Sequence, residues 1–280
     1  MGTSTSSSGP GSGVPLVPPW VPAAPPLLPD PPDADVQAEI GAQPPAEEKA
    51  PEPNPPGNAS PARFGPTRRA LGDYGRTGNR DDLRRALGNY VSRGYGGSRS
   101  TSSRFAGTAT TASALGGVLA ALANNTPIPG LDRTLLATMD ADTLLDTLVE
   151  VVRQVDGTQD AEAERRSTRD ALSDTLKRFP DADPLNLDAT GRAYAIERFV
   201  ALDVFNRFYL DVGAAVQDNA PNPTQALARL AEAKAYIGET VAAAFRRLEQ
   251  AGHTVNSNAV SSVIRTALRD AFDIFEDYTG

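Results

Sequence analysis

The residue in this chain best suited to covalent chemistry has no side chain at all. Met1 is followed by Gly2, a residue small enough for the initiator methionine to be removed, which would leave a glycine α-amine. Such an amine has a reference pKa of about 7.7–8.0, so a useful fraction is neutral and nucleophilic near neutral pH. Gly2 has no Cβ to crowd an attack, and Thr3 and Ser4 open a run of small residues, MGTSTSSSGPGSG, that can thread into a deep active site. These are the features expected of a protein substrate for N-terminal acylation. The same start fits the myristoylation pattern through Gly2 and Ser6. One myristoyl chain anchors weakly without a basic patch nearby, and the next charged residues are Asp30, Asp33 and Asp35, which repel an anionic membrane.

The remaining inventory is thin. There is no cysteine, which removes thiolate nucleophiles, disulfides and Cys-ligated zinc. The single histidine, His253, falls in a predicted interhelical turn, with no second histidine for a metal site and no G-x-S-x-G elbow for a triad. Paired acids can hold magnesium or move protons, and DAD at 140–142, DAD at 181–183 and FEDY at 275–278 are the places to look. They sit at predicted helix starts, where acids favour the macrodipole, or on a solvated last turn. No Walker A, Rossmann or EF-hand pattern occurs. The chain reads as a non-enzyme that binds no metal or cofactor of its own.

The segments that must carry the amine are set apart by composition. Of 24 prolines, 18 lie in residues 1–66, and a stretch this rich in Pro, Gly, Ser and Ala cannot bury enough apolar surface to offset chain entropy. A disordered Pro-rich arm is predicted over 1–62, with a root-mean-square reach of roughly 40 Å. Within it VPLVPPWV, residues 14–21, is the one apolar cluster. Its Trp20 reads either as a partner anchor or as a chance aromatic.

Residues 63–104 hold a short repeat, in which RRALGDYGRTG at 68–78 returns as RRALGNYVSRG at 84–94. Arg68, Arg69 and Tyr74 correspond to Arg84, Arg85 and Tyr90. Arg, Ala and Leu favour a helical turn, which Gly72 and Gly88 are expected to end. The belt carries 9 Arg against 3 Asp over 67–104, whereas 105–280 carries 25 acids against 16 bases. An acidic body argues against nucleic acid as the main partner. The belt is read as a docking segment, lying along its own acidic body or against another protein. Deleting residues 67–104 is accordingly expected to abolish assembly.

From residue 105 the periodicity becomes helical. Six segments are predicted: TATTASALGGVLAALANN, DADTLLDTLVEVVRQVDG with Asp140 as N-cap, DAEAERRSTRDALSDTLKRF, the apolar GRAYAIERFVALDVFNRFYLDVGAAV as central core helix, NPTQALARLAEAKAYIGETVAAAFRRLEQAG and SNAVSSVIRTALRDAFDIFEDY. No segment alternates like a strand, so 105–280 reads as an all-α acidic domain of about six helices. No run approaches 18 consecutive apolar residues and no signal-peptide pattern opens the chain. A cytoplasmic protein without a membrane partner is expected.

The opening MGTSTSSSGPGSGVPLVPPWV, the Pro-rich linker, the Arg-Arg-Ala-Leu-Gly-x-Tyr segment and the acidic helical body together resemble the QatB proteins of the four-gene Qat anti-phage defence systems of bacteria. The resemblance implies a partner, QatC, similar to the QueC synthases of the 7-deazaguanine pathway. Such an enzyme uses ATP to adenylate the carboxylate of 7-carboxy-7-deazaguanine, and an amine then displaces AMP. By this resemblance the amine is that of Gly2, with Thr3 and Ser4 entering the enzyme beside it, and 7-deazaguanine becomes a covalent adduct. An ATPase and a TatD-like nuclease are the other implied partners. Two other classes stand beside this reading. One is a membrane-tethered scaffold with a lipidated Gly2. The other is a single-strand nucleic-acid binder using the Arg/Tyr/Gly belt, which requires a steep fall of affinity with salt.

Overall fold

The structure is a computed structural model that describes residues 62–253 and 260–279. The chain divides into two units, 1–55 and 56–280, and every described residue belongs to the second. Of the arm read over 1–62, residues 1–61, with Gly2, Thr3, Ser4 and Trp20, lie outside the described residues, which begin at Ala62.

The described residues form eleven α-helices. These are α1 (Gly65–Thr77), α2 (Arg80–Asn89), α3 (Ser98–Arg104), α4 (Ala106–Ala123), α5 (Arg133–Leu136), α6 (Ala141–Val152), α7 (Gln159–Arg178), α8 (Ala189–Val212), α9 (Ala214–Asn219), α10 (Pro223–Gln250) and α11 (Val260–Glu276). A π-helical turn, Tyr90–Gly94, follows α2 and a 3-10 turn, Asp277–Thr279, follows α11. No strand occurs among the described residues, so the all-α class holds. The six predicted segments are α4, α6, α7, α8, α10 and α11. To these the body adds the short α5 and α9, and the belt adds α1, α2 and α3.

Local sequence sets the helix starts. The side chains of Asn79, Asp132, Asp140, Thr158, Asp188 and Asn222 each accept a backbone N–H in the first turn of α2, α5, α6, α7, α8 and α10. Asp140 accepts from the Thr143 N–H at 3.0 Å, as its position before the apolar run predicts. The Thr143 N–H first, then the Thr143 hydroxyl and the N–H groups of Asp140 and Asp142, hold this carboxyl below the usual carboxylate pKa.

Helix α8 is the centre of the packing. Its Ile196, Phe199, Val200, Leu202, Phe208 and Val212 are buried, and it packs against α4, α7 and α10. Burying side chains of this size stabilises by roughly 1.5–3 kcal/mol each before chain entropy is subtracted. Helix α4 is 18 residues long with a mean hydropathy of 1.3, long and apolar enough by composition to cross a membrane. The small side chains of Ala109, Ala112 and Gly116 line its buried face, and it packs against α8 and α11.

The belt differs from its sequence reading at two positions. Gly72 and Gly88 do not end helices; α1 and α2 run through them. What ends α1 is Gly78, in the left-handed region at φ +73°, whose N–H donates to the Tyr74 carbonyl.

Candidate functional site

The two repeat copies form an α1–α2 hairpin that packs into the body of its own chain. Helix α1 lies on α9, and α2 on α11. Glycine makes both approaches possible. A Cβ at Gly75 would stand 3.0 Å from the Val216 carbonyl oxygen, and one at Gly88 would stand 2.6 Å from the Thr279 methyl and 3.0 Å from the Phe275 carbonyl oxygen. Tyr74 and Tyr90, equivalent in the repeat, both turn inward. The Tyr74 hydroxyl lies 3.0 Å from Glu232 Oε2 of α10 and 3.0 Å from the Arg229 carbonyl. The Tyr90 hydroxyl donates to Asp211 Oδ2 of α8 at 2.8 Å, and Tyr95 donates to the same oxygen at 2.7 Å. Burial, then the carboxylate beside each hydroxyl, pushes Tyr74 and Tyr90 well above the usual phenol range and Tyr95 up to about 12. Tyr74 and Tyr90 thus join the belt to its own acidic body, along the intrachain alternative of the docking reading.

The repeat's arginines stay outside. Arg68, Arg69, Arg84 and Arg85 are exposed. Arg84 reaches Asp81 at 3.3 Å and Tyr236 at 3.3 Å, and Arg85 reaches Asp82 at 2.5 Å and Asp73 at 3.6 Å. Arg68 donates to the Asp211 carbonyl at 3.1 Å. Deleting 67–104 would remove the core side chains Leu71, Leu83 and Leu87 along with these arginines, so the exposed arginines themselves are the positions at which docking can be tested.

A second polar feature runs along α8. Asp203, Arg207 and Asp211 stand four residues apart and share one face of the helix. At the inner end Asp203 is fully buried, accepting from Thr108 Oγ1 at 2.6 Å, with Ser167 Oγ at 3.3 Å and Arg207 Nε at 3.5 Å. Burial raises Asp203 to about 6, against the opposing pull of the Thr108 hydrogen bond and the Arg207 charge. In the middle, Arg207 also reaches Glu164 of α7 at 3.1 Å and Asp160 at 3.2 Å. Glu164 is itself buried, held by Arg153 at 2.7 Å and by Thr111 at 2.9 Å.

At its outer end the ridge opens into a cavity of about 320 Å³ lined by Arg63, Tyr95, Arg104, Asp160, Arg207 and Asp211, with Gln159 and Leu210 beside them. Arg63 lies over the rings of Phe64 and Tyr95, at 4.5 and 5.1 Å from their centroids. A neighbouring cavity of about 280 Å³ shares Gln159 and Leu210, and Glu162, Ala163, Arg166, Asn206 and Tyr209 are among its other lining residues.

Sequence reasoning did not single out Arg63, Tyr95, Arg104 or Arg207. The available signal was the acid–Arg–acid spacing at 203, 207 and 211 inside the most apolar helix, where charged residues without a partner are costly. His253 is exposed in the turn after α10, its backbone N–H donating to the Leu248 carbonyl at 2.9 Å. Of the acidic groups, Asp140 is a cap, Asp142 meets Arg169 at 3.0 Å, Asp183 accepts from the Leu185 N–H and Glu276 accepts from the Ser98 N–H. Among the described residues no three acidic or histidine side chains converge as metal ligands would.

Residues 96–275 match the family of the Qat anti-phage system associated protein QatB. No curated protein and no solved structure matches the chain. The match opens just after Tyr95 and takes in α3 to α11 almost whole, including the α8 ridge and Arg104.

Proposed function

The chain belongs to the QatB family and is a component of a Qat anti-phage system, and we propose that it serves that system by presenting its N-terminal glycine for conjugation. In this reading it is a non-catalytic protein of the cytoplasm. Its partner is a QueC-like enzyme, QatC, which adenylates the carboxylate of 7-carboxy-7-deazaguanine with ATP and releases pyrophosphate. The neutral α-amine of Gly2 attacks the activated carbonyl carbon, an amide forms, AMP leaves, and the amine's extra proton passes to solvent. The chain itself holds no cofactor; the 7-deazaguanine becomes its covalent adduct.

The observation that carries this reading is an unhindered Gly2 amine at the head of about 60 Pro/Gly/Ser-rich residues, followed by a folded helical body. An arm of that composition lets the glycine visit a separate active site while the body stays docked. The exposed Arg68, Arg69, Arg84 and Arg85 are the candidate contacts for QatC, the system ATPase or the TatD-like nuclease.

The test is the intact mass and the N-terminal peptide mass of the protein, expressed with and without its operon neighbours. Loss of Met1 with a gain matching an amide-linked deazaguanine on Gly2, seen only with the neighbours, is the expected result. A bare Gly2 in the presence of active enzyme and nucleobase overturns the conjugation. A myristoyl mass moves the protein to the membrane.

A further inference from the structure

We infer that the cavity at the outer end of the α8 ridge binds a small phosphate-bearing ligand. Its walls carry three guanidinium groups, from Arg63, Arg104 and Arg207, which is the chemistry that recognises phosphate oxygens through paired N–H donors. The two wall acids are already engaged. Asp160 faces Arg207 at 3.2 Å, and the Asp211 carboxylate takes the Tyr90 and Tyr95 hydroxyls at 2.8 and 2.7 Å. The belt's ion pairs belong to Arg76, Arg80, Arg84 and Arg85, and among the described residues Arg63 and Arg104 have no carboxylate partner.

Two of the three cationic groups, those of Arg207 and Arg63, are also fixed in place. Arg207 is held by Asp160, Glu164 and Asp203, and it donates to the Arg104 carbonyl at 3.4 Å. Arg63 is held over two aromatic rings. A pre-set arginine cluster binds an anion without first paying the full cost of ordering its side chains. At about 320 Å³ the cavity lies at the lower end of the roughly 300–1,000 Å³ typical of small-molecule sites. Enclosure in a cavity, with the acidic body around it, favours a small anion over a polynucleotide backbone, which needs an extended basic track.

Isothermal titration of the full chain with inorganic pyrophosphate, AMP and ATP tests this independently of any modification of Gly2. The expected result is saturable one-to-one binding of at least one probe, weakened about tenfold or more by Arg63→Glu and by Arg104→Glu. Arg269→Glu, on α11 with its guanidinium 3.9 Å from Asp273, should leave binding unchanged, and circular dichroism melts establish that all three variants fold. Absence of saturation with every probe overturns the inference. So does an equal loss in Arg269→Glu, which would mean diffuse attraction. Binding of a single-stranded oligonucleotide with none of the three small probes also overturns it, in favour of a nucleic-acid surface.

Discussion

The two copies of the Arg-Arg-Ala-Leu-Gly-x-Tyr repeat solve the same docking problem against different neighbours. In each, the leucine is buried, a glycine (Gly75 in the first copy, Gly88 in the second) lets a backbone come close, the tyrosine turns its hydroxyl to an acid, and the arginine pair faces solvent. The first copy meets Glu232, whose side chain is 29% exposed and also pairs with Arg80 at 2.9 Å. The Arg80 hydrogen bond, more than any other contact, holds Glu232 below its usual pKa. The second copy meets Asp211, which serves Tyr90 and Tyr95 together. The repeat thus encodes a helix face that docks, while the receiving acid decides how much each contact contributes.

The largest expected effect lies at the acid that serves two tyrosines. Asp211→Ala leaves two hydroxyls without their acceptor, and a stranded buried donor costs about 1–3 kcal/mol. A loss on the order of 2–4 kcal/mol is expected in urea unfolding. Glu232→Ala should cost only about 1 kcal/mol, because the Tyr74 hydroxyl keeps the Arg229 carbonyl at 3.0 Å. Equal losses in the two variants would erase the distinction between the copies.

Asp203, two turns below Asp211 on the same ridge, sharpens the contrast because it is buried with no tyrosine. Its folded pKa of about 6 lies above the unfolded carboxylate value. The folded state therefore holds this proton more tightly, and stability falls as pH rises from about 4 to about 6. The change is on the order of 2–3 kcal/mol. Asp203→Asn should flatten the curve across that window in urea melts taken at several pH values. Groups held below their usual pKa, such as Glu232 and Asp140, act in the opposite sense, adding stability as pH rises through their range, so the variant-minus-wild-type difference is the quantity to read.

The repeat glycines give a prediction whose sign decides between two roles. A glycine that merely interrupts a helix would gain up to about 1 kcal/mol on replacement by alanine. At Gly75 and Gly88 the new methyl would press on Val216 and on Phe275 and Thr279. Overpacking of this kind costs about 1–3 kcal/mol, so Gly75→Ala and Gly88→Ala should both destabilise. A stabilising alanine at Gly88 would return it to the role of helix breaker, and one at Gly75 would show that the approach to Val216 does not require glycine.

This difference also marks where the sequence was readable. Six amphipathic or apolar segments announced α4, α6, α7, α8, α10 and α11 through spacings of three and four, and Asp140 announced a cap. Gly72 and Gly88 read as stops because propensity is local, whereas their tolerance in α1 and α2 comes from residues about 150 to 190 positions away: Asn219 packs at Gly72, and Phe275 and Thr279 pack at Gly88. The cavity was hidden for the same reason. Arg63, Arg104 and Arg207 become neighbours only when α8 and the belt pack together, and no spacing in the chain encodes that. Gly2, Thr3, Ser4 and Trp20 rest on sequence and resemblance alone.

The smallest effect is expected at the exposed arginines, and its smallness makes them useful. Arg84 and Arg85 are about half exposed and pair within the hairpin at i and i+3 spacing with Asp81 and Asp82, and such pairs contribute at most a few tenths of a kcal/mol. Arg85 also reaches Asp73, a contact equally open to solvent. Arg84→Ala and Arg85→Ala should therefore shift stability by less than about 0.5 kcal/mol. Any loss of co-purification with the Qat partners by these variants then reports on docking and not on folding. If both variants melt like the wild type and still assemble fully, the outward face of the second copy is only solvated charge. The search for the partner surface would then move to Arg68 and Arg69 in the first copy, equally exposed and closer to the root of the arm.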